Sequence, residues 1–184
     1  DEPRDGRLIM HLVSDPIQDG GQWHMFVNLI EKYGVVPKAE MPETYQSSQS
    51  MRMNRMITRK LRGFALDLRK AHKNGKDLKS LRSMKEEMMA VVYQMLTISL
   101  GTPPETFDWQ IRDKKKKFHR FENLTAQSFF KDHVGLNLKE YVCLIDCPMS
   151  DKKYQETYTV DYLGNVIEGE IIRYLNLPVK RLKE

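Results

Sequence analysis

From Ser50 to Leu100 apolar residues recur every three or four positions, with one break at Asn74-Gly75. That pattern admits little except two long helices folded back on each other. At about 100° per residue, Met53, Ile57, Leu61, Phe64 and Leu68 fall on one stripe of a helix over 50–73. A second helix over 79–100 carries Leu81, Met84, Met88, Val91, Met95 and Ile98 on its own stripe. Gly101-Thr102-Pro103-Pro104 stops it.

Before the hairpin, Leu8, Ile9 and Leu12 are spaced for a short helix from about residue 5, ended by Asp15-Pro16. Asp19-Gly20-Gly21 is a turn signal, and Trp23, Phe26, Val27 and Ile30 then recur at i, i+3, i+4 and i+7. The stripe predicts a helix with those four residues against a core, closed by Gly34 and barred from continuing by Pro37. Past the hairpin the period shortens to two. Phe107, Trp109 and Ile111 alternate with polar residues, and a charged tip at 112–117 leads back through Phe118 and Phe121. This is a β-hairpin pattern. Thr125 is placed to cap a short helix through Phe129 and Phe130 to His133, stopped by Gly135. Extended segments follow at 141–145, 158–166 and 171–175, and Leu182-Lys183-Glu184 resembles the start of a further helix. The expected class is α+β: a mostly helical part, a helical-hairpin insertion and a mixed C-terminal segment, divided at 1–46, 47–105 and 106–184.

Composition narrows the class. Hydrophobic residues are 40% and charged residues 30% of 184, as in a globular domain. No apolar run approaches the roughly 20 residues needed to cross a bilayer, so no membrane partner is expected. Two cysteines are too few for a disulfide framework, which suits a reducing, cytoplasmic setting. The net charge of +5 is concentrated: between Arg52 and Lys85 the basic residues are opposed only by Asp67 and Asp77. Arg52, Arg55, Arg59 and Arg62 lie opposite the apolar stripe of their helix, either as a solvated face or as a contact for nucleic-acid phosphates.

Motifs that carry chemistry are sparse. Cys143 sits in the run Val142-Cys143-Leu144-Ile145, where a small buried side chain is the simpler role than a nucleophile. His11, His24, His72, His119 and His133 show no paired zinc-ligand spacing, and no metal or cofactor is expected. Gly20-Gly21 stands apart. Two glycines before a helix are either a plain turn or a place where another backbone comes close enough to pair through main-chain hydrogen bonds. Spacing alone leaves both open.

Several strings in order are more specific. They are Asp19-Gly20-Gly21-Gln22-Trp23, the run from Val27 to Lys38, Met41-Pro42-Glu43-Thr44, Pro103-Pro104-Glu105-Thr106-Phe107, Arg112-Asp113-Lys114, Tyr158-Thr159-Val160 and Tyr162-Leu163-Gly164-Asn165. Over residues 5–183 the chain resembles the bleomycin hydrolase and aminopeptidase C family of papain-like cysteine peptidases. The Pro-Pro-Glu-Thr-Phe string and the basic hairpin resemble the eukaryotic version more closely. The resemblance implies a thiol aminopeptidase that trims peptides from their N-termini and assembles as a hexameric ring, some members binding nucleic acid. It implies that the family's catalytic cysteine, histidine and asparagine lie outside this stretch, so that the chain alone is inactive. It also implies that Gly20 and Gly21 pair with a peptide substrate's backbone, with Gln22 and Trp23 beside them, although Trp23 serves equally well as core.

Overall fold

A computed structural model describes residues 6–17, 20–160 and 163–183. Asp5, Asp19, Tyr162 and Glu184, named in the sequence patterns above, lie outside the described residues. The chain divides into two compact units, one of residues 1–19 and 41–103, the other of residues 20–40 and 104–184. The second unit is thus discontinuous in sequence.

In the first unit, α1 (Arg7–Ser14), α3 (Tyr45–Ser48), α4 (Met51–Lys73) and α5 (Leu78–Leu100) form the helical part. α4 and α5 are the two helices of the hairpin. Gly75 adopts φ +84°, which suits a residue without Cβ, and Asp77 caps α5 by accepting the Ser80 N–H at 3.0 Å. Those bonds from Ser80 hold the Asp77 carboxyl below its ordinary range. Ile57, Ala71 and Val92 are buried where the helices meet. Ile98 is not part of that seam; it is 85% exposed. It points roughly 80° away from Met88 around α5, and the buried line runs through Val92 instead. Thr44 accepts the Ser47 N–H at 3.1 Å and donates to the Ser99 carbonyl at 2.9 Å, pinning α3 to the end of α5.

In the second unit, α2 (Trp23–Tyr33) packs Val27 and Ile30 against Leu138, with Trp23, Val35 and Phe130 at the margin. Phe26, expected in this core, is 51% exposed, and Asn28 is buried in its place at 6%. The other three stripe residues still face the core, and Asn28 is buried on an adjoining side of the helix, where it finds the backbone partners described below. At the end of α2, Gly34 has φ +75° and its N–H donates to Ile30 O at 2.7 Å. A Cβ there would lie 2.2 Å from the backbone of Ala126. The Val35 N–H donates to Ala126 O at 3.1 Å, and Gln127 Nε2 reaches Lys32 O at 2.7 Å.

β1 (Phe107–Arg112) and β2 (Phe118–Leu124) pair antiparallel, with a bulge between Phe107 and Trp109. Asp113 organises the turn: one carboxylate oxygen accepts the N–H groups of Lys115 (2.8 Å) and Lys117 (3.0 Å), and the other meets His119 Nε2 at 3.1 Å. Inward aromatic rings, Trp109 and Phe121 stacked at 5.5 Å, receive Phe129 and His133 from the following helix. That helix, α6 (Ala126–Phe129), is capped by Thr125 as its sequence predicts and continues as a π turn to Val134 before Gly135 at φ +62°.

The remaining strands are shorter than their apolar runs. β3 (Cys143–Ile145) lies parallel to β5 (Tyr174–Asn176), and β4 (Thr157–Tyr158) lies antiparallel to β5. The Arg181–Lys183 turn is 3-10. Asn176 is fully buried and occupies the end of the sheet. Its Oδ1 accepts the Cys147 N–H at 2.8 Å, while Nδ2 donates to the carbonyls of Cys147 (3.1 Å), Lys152 (3.1 Å) and Lys153 (3.3 Å). One side chain thereby satisfies loop groups that no strand reaches.

Three consequences can be measured. Gly34→Ala meets Ala126 backbone and a positive φ together, and should lower unfolding free energy by about 2–4 kcal/mol in denaturant titration. Asn176→Ala should cost about 2–3 kcal/mol, and Asn176→Asp at neutral pH should be no better because it turns an acceptor toward three carbonyls. Acid should loosen the hairpin tip. Asp113 is held below the ordinary carboxylate range, first by its bond to His119 and then by the Lys117 and Lys115 N–H groups. Its contribution is therefore complete above 3.8, the ordinary value, and lost as pH falls through the lower folded value. The amide resonances of Lys115 and Lys117 should report that loss, and their indifference to acid would exclude it.

Candidate functional site

Gly20, Gly21 and Gln22 form an exposed segment, outside helix and strand, leading into α2. Gln22 sits at φ −104°, ψ 159° and starts the helix by accepting the N–H groups of Met25 (3.0 Å) and Phe26 (3.2 Å) on its carbonyl. Its own N–H is turned to the Met25 sulfur at 3.5 Å. Neither glycine has positive φ. A Cβ built on Gly20 meets nothing within 4 Å, and one on Gly21 meets only the Met25 sulfur at 4.0 Å. The contrast with Gly34 is direct: there the fold itself forbids a side chain, whereas at 20–21 the described residues leave room for one.

Trp23 is on the other side of the matter. Its ring lies 5.6 Å from Phe26 and 5.6 Å from Tyr141, at the margin of the Val27–Ile30–Leu138 core. Its Nε1 and the neighbouring His24 Nδ1 are buried without a hydrogen-bond partner among the described residues. Trp23 therefore packs at the margin of the core, whereas Gly20, Gly21 and Gln22 are exposed.

Cys143 and Cys147 are free and half-buried, so Cys143 is less enclosed than its apolar neighbours suggest. β3 is a short strand, and its other members alternate in and out with it. Cys147 is held through its backbone by Asn176. His119 is engaged by Asp113, and His133 lies among Trp109, Phe121 and Phe129. The structure brings neither histidine to a cysteine as a base would require. Among the described residues no three His, Cys, Asp or Glu side chains are grouped to hold a metal ion, and no helix is long and apolar enough to cross a membrane.

The four arginines separate. Arg52, Arg55 and Arg59 are exposed on α4, and no ion pair holds them among the described residues. Arg62 instead donates from Nε to Val13 O at 3.0 Å and from its terminal nitrogen to Ser14 O. It caps the last turn of α1.

Sequence patterns gave little hint of one further group. Asn28 accepts the Glu170 N–H and donates to Glu170 O, both at 2.9 Å, across 142 residues of sequence. The only sign was a polar residue beside the apolar stripe.

Comparison with known proteins decides the family. The sequence profile of the Peptidase C1-like family matches residues 1–184. The chain belongs to that family. It is 47% identical over its whole length to aminopeptidase C of Listeria innocua and 40% identical to bleomycin hydrolase of Mus musculus. A crystal structure of PepW from Lactobacillus rhamnosis superposes on the whole chain with a TM-score of 0.92 at 45% identity. The chain spans 41% of the length of each of these relatives. The expected lean toward the eukaryotic version is corrected, since the Listeria identity exceeds the mouse one. The strings that suggested it are local, whereas identity accumulates over the whole chain.

Since the described residues leave room for a Cβ at Gly20 and Gly21, Gly20→Ala and Gly21→Ala should leave thermal stability unchanged or slightly raised, by up to about 1 kcal/mol. A melting temperature lowered by several degrees in either variant would show that the glycines serve the fold.

Proposed function

We propose that this chain is the part of a cytoplasmic thiol aminopeptidase that presents Gly20-Gly21 to the main chain of a peptide. The supporting observation is the space that the described residues leave at both glycines, neither of which is among those with positive φ. A substrate strand pairing there would need its backbone within hydrogen-bond reach, about 2.9 Å from nitrogen to oxygen, which a side chain on the facing edge obstructs. The names aminopeptidase C and bleomycin hydrolase, borne by the relatives, supply the reaction class: attack of a cysteine thiolate on an amide carbonyl and release of the amine from an acyl-enzyme. His119 is engaged by Asp113 and His133 lies among aromatic rings, which supports a nucleophile other than Cys143 or Cys147. In this reading the α4–α5 hairpin is an insertion in a papain-like helical lobe.

The test is hydrolysis of a fluorogenic aminoacyl amide, with and without a thiol alkylator, by the chain alone and by the complete protein. The complete protein should turn over the amide in an alkylator-sensitive way and the chain alone should not. Turnover by the chain alone, abolished by Cys147→Ala or Cys143→Ala, would overturn the assignment. In the complete protein Gly21→Ala should raise KM for peptides about tenfold, the equivalent of roughly 1.4 kcal/mol of lost binding.

Arg52, Arg55 and Arg59, exposed and without an ion pair among the described residues, favour a second reading, in which α4 contacts nucleic-acid phosphates. Binding of duplex DNA should then weaken steeply with salt and be lost on reversal of Arg55 and Arg59 to Glu. Arg62→Glu would instead unseat α1. The ring assembly implied by the resemblance is proposed on different grounds, the exposure of Tyr45 at 74%, Met51 at 72% and Ile98 at 85%. Sedimentation of the complete protein measures it.

A further inference from the structure

The segment 165–170 is fastened along one line of α2. Asn165 Nδ2 donates to Met25 O at 3.2 Å, the Asn28 amide exchanges two bonds of 2.9 Å with the Glu170 backbone, and Lys32 Nζ donates to Ile167 O at 3.3 Å. Met25, Asn28 and Lys32 are three and four residues apart, so these ties fall on one side of the helix. The central tie is the strongest of the three. Asn28 is 6% exposed, both its polar atoms are used, and its amide lies 2.9 Å from where a Cβ on Gly169 would stand. Glu170 and Glu31 both reach Lys139, at 3.6 and 3.5 Å, which closes the same frame from outside.

Met25 belongs to this frame and to the open segment at once. Its carbonyl is held by Asn165, and its sulfur receives the Gln22 N–H and is the atom nearest to a Cβ on Gly21. The rotation of α2 about its axis therefore sets where Gln22, Gly21 and Gly20 run. Pairing with an extended peptide requires that path to be held within a few tenths of an ångström.

We infer that Asn28 is a positioning residue for peptide binding: by locking α2 to the 165–170 segment it fixes the course of Gly20–Gln22. This rests on the reading of Gly20-Gly21 as a peptide contact. Asn28 touches no substrate itself and acts through the first turn of its helix.

The test is a double-variant cycle in the complete protein, with kinetics on peptide substrates and thermal melting measured together. Asn28→Ala should raise KM at least fivefold with kcat changed less than twofold among folded molecules. Asn28→Asp keeps the acceptor for the Glu170 N–H but not the donor, and it should give a smaller shift in the same direction. That variant serves where Asn28→Ala folds poorly. In a Gly21→Ala background Asn28→Ala should raise KM by less than twofold more, because the path it guards is already spoiled. A purely structural Asn28 would lower the melting temperature and the folded fraction while leaving KM unchanged, or would multiply with Gly21→Ala in full; either result overturns the inference. A Gly21→Ala enzyme with unchanged KM would overturn the peptide-contact reading itself, and the inference with it, and is recognised because it needs no Asn28 variant.

Discussion

The second unit exists as one body because α2 is gripped by segments that lie about 90 and 140 residues further along the chain. At its C-terminal end Gly34 lets the backbone of Ala126 approach to a distance that no other residue permits. At its middle, Asn28 replaces a strand-like partner for Glu170. Each of these contacts closes a stretch of chain that contains the whole α4–α5 hairpin, which belongs to the other unit. A chain interrupted in this way faces a closure cost that grows only slowly with the length of the interruption. Specific backbone contacts at the junction can outweigh it, and the insertion of a long hairpin is tolerated.

Buried asparagine is the recurring device. Asn28 and Asn176 are the buried polar side chains of the described core, and each is spent on loop backbone rather than on other side chains. The loops around 147–156 and 165–170 have little regular structure and no ladder to satisfy them. An amide side chain offers a donor and an acceptor on one rigid plane, which matches the paired N–H and C=O of a peptide unit. Removing one would leave buried groups bare, a cost greater than the net worth of the bonds. The short three-stranded sheet is thus as dependent on Asn176 as on its own ladder.

Charge is handled locally. Asp113 gathers two lysine N–H groups and His119, Asp108 holds Arg120 and the Asn123 N–H, and Asp77 caps α5. Each of these carboxylates titrates low because it accepts hydrogen bonds, and desolvation opposes the shift in all three. Exposed pairs of this kind add little stability. Their effect is to fix the shape of turns, above all at the lysine-rich tip, where four like charges would otherwise drive the strands apart.

The helical hairpin, the β-hairpin and the Thr125 cap were legible in the sequence because each rests on local rules: a 3.6-residue period, a two-residue period and a hydroxyl three residues before a free N–H. The family was legible too, in strings such as Asp19-Gly20-Gly21-Gln22-Trp23. Phe26, Ile98 and the length of the sheet strands were misjudged, since periodicity says which residues share a face and not how far a partner reaches along it. Gly34 was legible as a helix stop, while Gly20-Gly21 stayed open between a plain turn and a backbone contact. The tertiary structure added the Ala126 backbone against Gly34 and, among the described residues, nothing nearer than the Met25 sulfur to Gly20 and Gly21. The same holds for Arg62, whose carbonyl partners come from α1, and for Asn28, whose partner lies at Glu170. Local pattern determines which elements form, whereas the purpose of a glycine, an arginine or a buried amide depends on what distant chain is packed beside it.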